Sequence, residues 1–139
     1  MVGGKLCDDE DGVTFVTSLL TGGVAQIDVV VSQAGQLDAW IDFDRDGVWE
    51  PTEKIFDSVV ISDAMQTLNF NLPSGLTPGD TFARVRLSSG GGLEPTGLAI
   101  DGEVEDYLVT ILPPPIVESV LINNGDAQRS TVHSVQVKF

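Results

Sequence analysis

The sequence has one cysteine, Cys7, and one histidine, His133, in 139 residues. A lone cysteine closes no disulfide within the chain. One Cys and one His cannot assemble a Cys/His zinc site. His133 sits in the C-terminal tail, so a Ser-His-Asp or Cys-His catalytic device has no histidine within the main domain. Basic residues are also scarce: 7 Lys+Arg face 21 Asp+Glu, for a net charge of −14. Such a surface repels phosphate backbones and anionic headgroups, which sets nucleic acid and membrane surfaces aside as partners. No apolar run is long enough to span a bilayer. Residues 1–12, MVGGKLCDDEDG, lack the apolar core of a signal peptide, so export would depend on a signal outside this stretch. P-loop and G-x-G-x-x-G motifs are missing. Aromatic residues make up only 6%, too few to line a sugar cleft beside a pair of catalytic carboxylates. The inventory therefore points away from an enzyme.

What is present is strand periodicity. The hydrophobic fraction of 42% suits one folded domain, and the length fits one domain plus a piece of another. Residues 24–32 place Ile27, Val29 and Val31 on one face. Residues 36–43 alternate Leu37, Ala39, Ile41 and Phe43 against Asp38, Trp40 and Asp42. Residues 54–62 and 66–73 read the same way, the second with Leu68, Phe70 and Leu72 on one side. Residues 81–89 set Ala83, Val85 and Leu87 opposite Phe82, Arg84 and Arg86. Residues 105–112 align Tyr107, Val109 and Ile111. Pro78-Gly79 marks a turn, and SGGGLEPTG at 89–97 a long Gly-rich loop. No stretch carries a helical stripe, although PTEKIF after Pro51 fits a single turn. Six or seven short strands at this spacing predict an all-β chain, an antiparallel β-sandwich of jelly-roll or immunoglobulin-like type.

One loop carries specific chemistry. In DFDRDGVWEPTE (42–53), Asp42, Asp44 and Asp46 occupy positions one, three and five, and Gly47 position six. Val48 offers a backbone carbonyl at seven, Glu50 stands at nine, and Glu53 closes the run at twelve. This is the full pattern of an EF-hand calcium loop. Calcium is a hard cation that takes six to eight oxygens. Alternating aspartates turn their carboxylates into one concavity, Gly47 permits the bend, and Glu53 supplies two more oxygens. Without a cation those charges repel one another. The flanks are not helices, so the pattern predicts a Ca2+ loop between strands, with Asp42, Asp44, Asp46, the Val48 carbonyl and Glu53 as ligands and Glu50 direct or through water.

Two further acidic clusters flank the domain, Asp8, Asp9, Glu10 and Asp11 before the first strand and Asp101, Glu103, Glu105 and Asp106 at the last. They could meet as a second cation site. They could equally be solvated ends, with Glu103 and Glu105 pairing Arg84 and Arg86 across neighbouring strands.

At DGEVEDYLVTI (101–111) the chain resembles the signature of the GEVED domain, a β-rich module of large secreted or cell-surface bacterial proteins. The resemblance runs back through GLEPTGLAIDGEVEDY, LPSGLTPGDTFARVRLSS, LDAWIDFDRDGVWEPTEKIF and DDEDGVTF, over roughly residues 8–112. It implies a β-rich fold, calcium and an extracellular setting, and no particular partner. Three prolines at 113–115 read as a stiff spacer after a short segment 1–7 and a domain 8–112. The tail 116–139 reads as the start of a following β domain, and SVLINNGDAQRSTV resembles the opening of another bacterial extracellular domain.

The expectation is thus a non-catalytic extracellular or cell-surface module that binds calcium for structure or adhesion within a larger bacterial protein. Its expected partners are calcium, neighbouring domains of the same chain, or cell-surface polysaccharide. The rival is a carbohydrate-binding module with Trp40 as its stacking platform, which requires Trp40 to be exposed. A third reading is an adhesion module with calcium at a junction between domains.

Overall fold

β-Branched and aromatic residues alternating with polar ones build ten strands and two short 3-10 turns among residues 12–62, 64–125 and 131–139, which the computed structural model describes. The strands are β1 (Gly12–Phe15), β2 (Leu19–Leu20), β3 (Val24–Val30), β4 (Gly35–Ile41), β5 (Lys54–Ile61), β6 (Met65–Asn71), β7 (Gly79–Ser88), β8 (Glu103–Leu112), β9 (Ser119–Ile122) and β10 (Val135–Lys138). They form a three-stranded sheet in the order β1-β3-β6, a five-stranded sheet in the order β2-β8-β7-β4-β5, and a hairpin of β9 with β10. Every pair is antiparallel except β2 with β8, which run parallel through Leu19–Ile111 and Leu20–Leu112. The expected all-antiparallel sandwich is corrected there: the chain leaves β1 on one sheet and reaches β2 on the other.

Period-two alternation makes the core. Ala25, Ile27 and Val29 of β3 face Leu37, Ala39 and Ile41 of β4 and Ala83 and Val85 of β7 in one apolar cluster. Edge-to-face ring pairs tie the sheets at both margins, Phe56 with Phe70 at 5.6 Å and Phe15 with Tyr107 at 6.0 Å. These inner faces match the sequence pattern at Ile27, Val29, Val31, Leu68, Phe70, Leu72, Ala83, Val85, Leu87, Tyr107, Val109 and Ile111, which are buried or pack against the core.

The other face of the five-stranded sheet is not the solvated surface that alternation suggests. Asp38 is fully buried and Trp40 is 1% exposed. Their cover is the Gly-rich loop, folded back over β4 and β7. The Arg86 guanidinium donates to the carbonyls of Glu94, Thr96 and Gly97, and Arg84 donates to that of Pro95. Asp38 accepts from the Leu93 N–H at 3.1 Å and the Ser58 N–H at 2.9 Å, and pairs with Lys54 Nζ at 2.8 Å. Lys54 also stands 5.1 Å above the Trp40 ring. Gly102 lets the loop return to the sheet: its φ is 108°, and a Cβ there would collide with Leu87 O.

Cross-strand pairing corrects a second expectation. Arg84 lies opposite Asp106, and its guanidinium holds both carboxylate oxygens at 2.7 Å. Glu105 and Glu103 lie opposite Val85 and Leu87. They therefore project to the other face from Arg84 and Arg86, as the pleat requires. Glu105 instead accepts the Tyr107 hydroxyl, which itself accepts the Val13 N–H at 2.9 Å. Burial and that carboxylate push the Tyr107 phenol up to about 12.

Burial pushes the Asp38 carboxyl up, but the Lys54 ammonium and the two N–H donors outweigh it and hold its pKa below 3.8. Burial pushes Lys54 down, and Asp38 and Asp57 outweigh that to hold it above 10.5. A depressed acid stabilises the fold above its unfolded pKa and loses that contribution as pH falls through the folded one; a raised base does so in mirror image at high pH. Asp38→Asn should cost about 2–4 kcal/mol at neutral pH, because it strands Lys54 and mismatches two N–H donors. The gap between wild type and variant in urea melts should stay level at intermediate pH, close below 3.8 and narrow again above 10.5.

Candidate metal centre

β4 runs its outer-face residues Asp38 and Trp40 straight on to Asp42. The Asp42 N–H continues the ladder for one bond, to Phe82 O at 3.0 Å. Past that point the backbone turns sharply. Arg45 takes φ 62° and Gly47 φ 86°. A left-handed conformation is cheap for glycine and uncommon for arginine. The Arg45 side chain is anchored, donating to the carbonyl of Thr77 across the loop.

Within the bend each aspartate takes a backbone donor. Gly47 N–H reaches Asp42 Oδ2 at 3.0 Å, Asp46 N–H reaches Asp44 Oδ1 at 3.1 Å, and Val48 N–H reaches Asp46 Oδ1 at 2.7 Å. Asp42, Asp44 and Asp46 bring one oxygen each within 4.8 Å of one another. At an effective dielectric near 20, a pair at that spacing repels by about 3 kcal/mol, less where water screens the exposed Asp44 and Asp46. Asp42 has no such screening. It is 5% exposed, and its Oδ1 is buried without a hydrogen-bond partner. The donor set is carboxylate oxygen throughout, which suits a hard divalent cation.

Glu53 closes the loop in a different way. A 3-10 turn at Pro51–Glu53 carries it back under the bend, as the PTE run predicts. Its Oε1 accepts from the N–H of Phe43 at 2.6 Å and of Asp44 at 3.3 Å, and its Oε2 from the N–H of Glu50 at 3.0 Å. Burial raises its pKa; those three N–H groups lower it, the Asp42 charge adds to the rise, and the net is upward. Glu53 is thus the frame on which both ends of the loop hang. Val48 and Glu50 are exposed at the loop surface, tied in by their N–H groups. The structure brings Asp42, Asp44 and Asp46 together as oxygen donors, with Glu53 bound to the backbone around them.

Sequence reasoning missed the second tier. Trp49 donates its indole N–H to Phe82 O at 3.3 Å and lies under the Arg84 guanidinium at 4.2 Å. The loop is thereby clipped to β7 and, through Asp106, to β8. Nothing in the loop's residue kinds marks these contacts, since the acceptor of the indole N–H is a backbone carbonyl.

The remaining acidic clusters do not converge among the described residues. Asp8, Asp9, Glu10 and Asp11 lie outside them, as does Cys7. Asp101 accepts the hydroxyl and N–H of Ser89, Asp106 pairs with Arg84, and Glu105 takes the Tyr107 hydroxyl.

The family model of the GEVED domain matches residues 36–110, more than half of the chain and all of the loop. No curated protein and no solved structure matches it.

Glu53→Gln tests the frame separately from any ion. The amide oxygen retains two N–H donors at most, and its NH2 then faces a third donor. In chelator, urea unfolding should show a loss of about 1–2 kcal/mol with an unchanged m-value.

Proposed function

Because the chain belongs to the GEVED domain family, we propose that it is a non-catalytic, extracellular structural module of a larger bacterial protein, whose 42–53 loop binds one calcium ion. The observation that carries this reading is Asp42: its Oδ1 is buried without a hydrogen-bond partner, and its carboxylate lies within 4.8 Å of those of Asp44 and Asp46. Such an atom is costly unless a cation meets it. Asp42, Asp44 and Asp46 would hold the ion, with the Val48 carbonyl and Glu50 completing the shell and Glu53 serving directly or by fixing the frame. Bound calcium would supply positive charge where three negative charges converge. The strand order favours the immunoglobulin-like form of the sandwich: β7, β4 and β5 are neighbours on one sheet and β1, β3 and β6 on the other.

Burial of Trp40 under the 89–102 loop weighs against the carbohydrate-binding alternative, since a ring with 1% exposure offers no face to a sugar. No helix among the described residues is long and apolar enough to cross a membrane. With the weak affinity usual for extracellular modules, millimolar calcium should add about 0.4–1.4 kcal/mol. A thermal melt should therefore rise by roughly 2–8 °C from chelator to millimolar calcium. Asp44→Ala and Asp46→Ala should each abolish the rise. An unchanged wild-type midpoint, with no heat of binding in calorimetry, would refute the calcium reading.

A further inference from the structure

The two sheets are unequal, three strands against five, and the sandwich stands open along one side. There a groove of about 530 Å³ runs between β5 and β6, floored by Ile55, Phe56, Val59, Leu68 and Phe70. Both bordering strands are sheet edges. An edge strand offers a row of free backbone donors and acceptors to any chain that approaches it, and folded proteins usually guard such edges with charge, proline, bulges or shortness.

Both edges of the five-stranded sheet are guarded. β2 has two residues. β5 is bulged against β4, has a positive φ at Ser58, and carries the Lys54–Asp57 ion pair. β6 has none of these devices. Its seven residues, MQTLNFN, contain no charge and no proline, and they pair with β3 along their whole length in unbroken register.

We propose that β6 is a homodimerisation edge: it pairs antiparallel with β6 of a second copy about a two-fold axis at Leu68. In that register the strand meets itself without charge conflict. Met65 falls opposite Asn71 of the second copy, Gln66 opposite Phe70, Thr67 opposite Asn69 and Leu68 opposite Leu68, so no like charges meet in a chain of net charge −14. The charge elsewhere on the two copies is largely screened at physiological ionic strength beyond about 8 Å. The second Leu68 would sit one strand spacing, about 4.8 Å, outward on the core side, where the groove is open. Each copy closes the seam of the other, and the pair of three-stranded sheets becomes one sheet of six. A self-matched, isologous contact closes on itself as a dimer and does not propagate into fibres.

A charge-swap experiment tests this on the full chain. Met65 is 62% exposed and Asn71 is exposed, on the outer face of β6. Thr67 and Asn69 on that face already bond Asp28 and Gln26, so they are left intact. By sedimentation equilibrium the wild type should pass from 14.8 kDa to twice that mass with rising concentration. M65K/N71K and M65E/N71E should each stay monomeric, with wild-type circular dichroism and melting. An equimolar mixture of the two should recover the dimer. A wild type that stays at monomer mass up to millimolar concentration overturns the proposal. So does a mixture that stays monomeric, or a double variant that dimerises as the wild type does; a partner strand from another protein would give the first of these results.

Discussion

A carboxylate taken out of water needs donors or a cation, and β4 imposes that requirement twice on one face. Asp38 meets it with protein: two N–H donors and the Lys54 ammonium. Asp42, four residues on and nearly as buried, receives one N–H on Oδ2 and nothing on Oδ1. Asp42 lies one residue past the end of β4, where the chain turns away from the donors that serve Asp38. Around Asp38 the fold gathers positive and donor groups, whereas around Asp42 it gathers two more acids. This contrast makes the calcium reading more than a motif match, since the molecule demonstrably satisfies a buried acid when it does so from within.

The scaffold explains what kind of site the loop makes. An EF-hand sensor converts ion binding into a change of angle between two helices. Here a strand enters and a 3-10 turn with a second strand leaves, both fixed in one sheet. Arg45, Trp49 and Glu53 fasten the loop at its middle and at its far end to Thr77, Phe82 and the backbone of 43–50. An ion held there would act as a structural counter-charge.

How much of this was legible follows from what alternation encodes. Period two separates the faces of a strand, and it placed Ile27, Val85 and Val109 on the core side correctly. It does not say whether the opposite face meets water or another layer. For β4 the opposite face meets the 89–102 loop, so Asp38, Trp40 and Arg86 are buried although their pattern reads as surface. The carbonyl cage around Arg86 left no trace in composition, because backbone acceptors have no residue type. The convergence of Asp42, Asp44 and Asp46 was readable from the loop, since the motif specifies residue kinds. The use of Glu53 as a backbone clamp was not, because a glutamate at that place serves either an ion or a frame of N–H groups. Arg84 was expected to meet Glu103 or Glu105 and met Asp106, a one-residue matter of register that only the pleat decides.

The parallel contact of β2 with β8 joins residues 19–20 to residues 111–112. Its two halves are made at opposite ends of the domain's synthesis. The five-stranded sheet therefore acquires its last strand only after nearly the whole stretch has emerged, and contacts this distant in sequence are slow to close. Until then the chain exposes apolar strands to whatever surrounds it. A domain wired in this way gains little by beginning to fold while it is still being made.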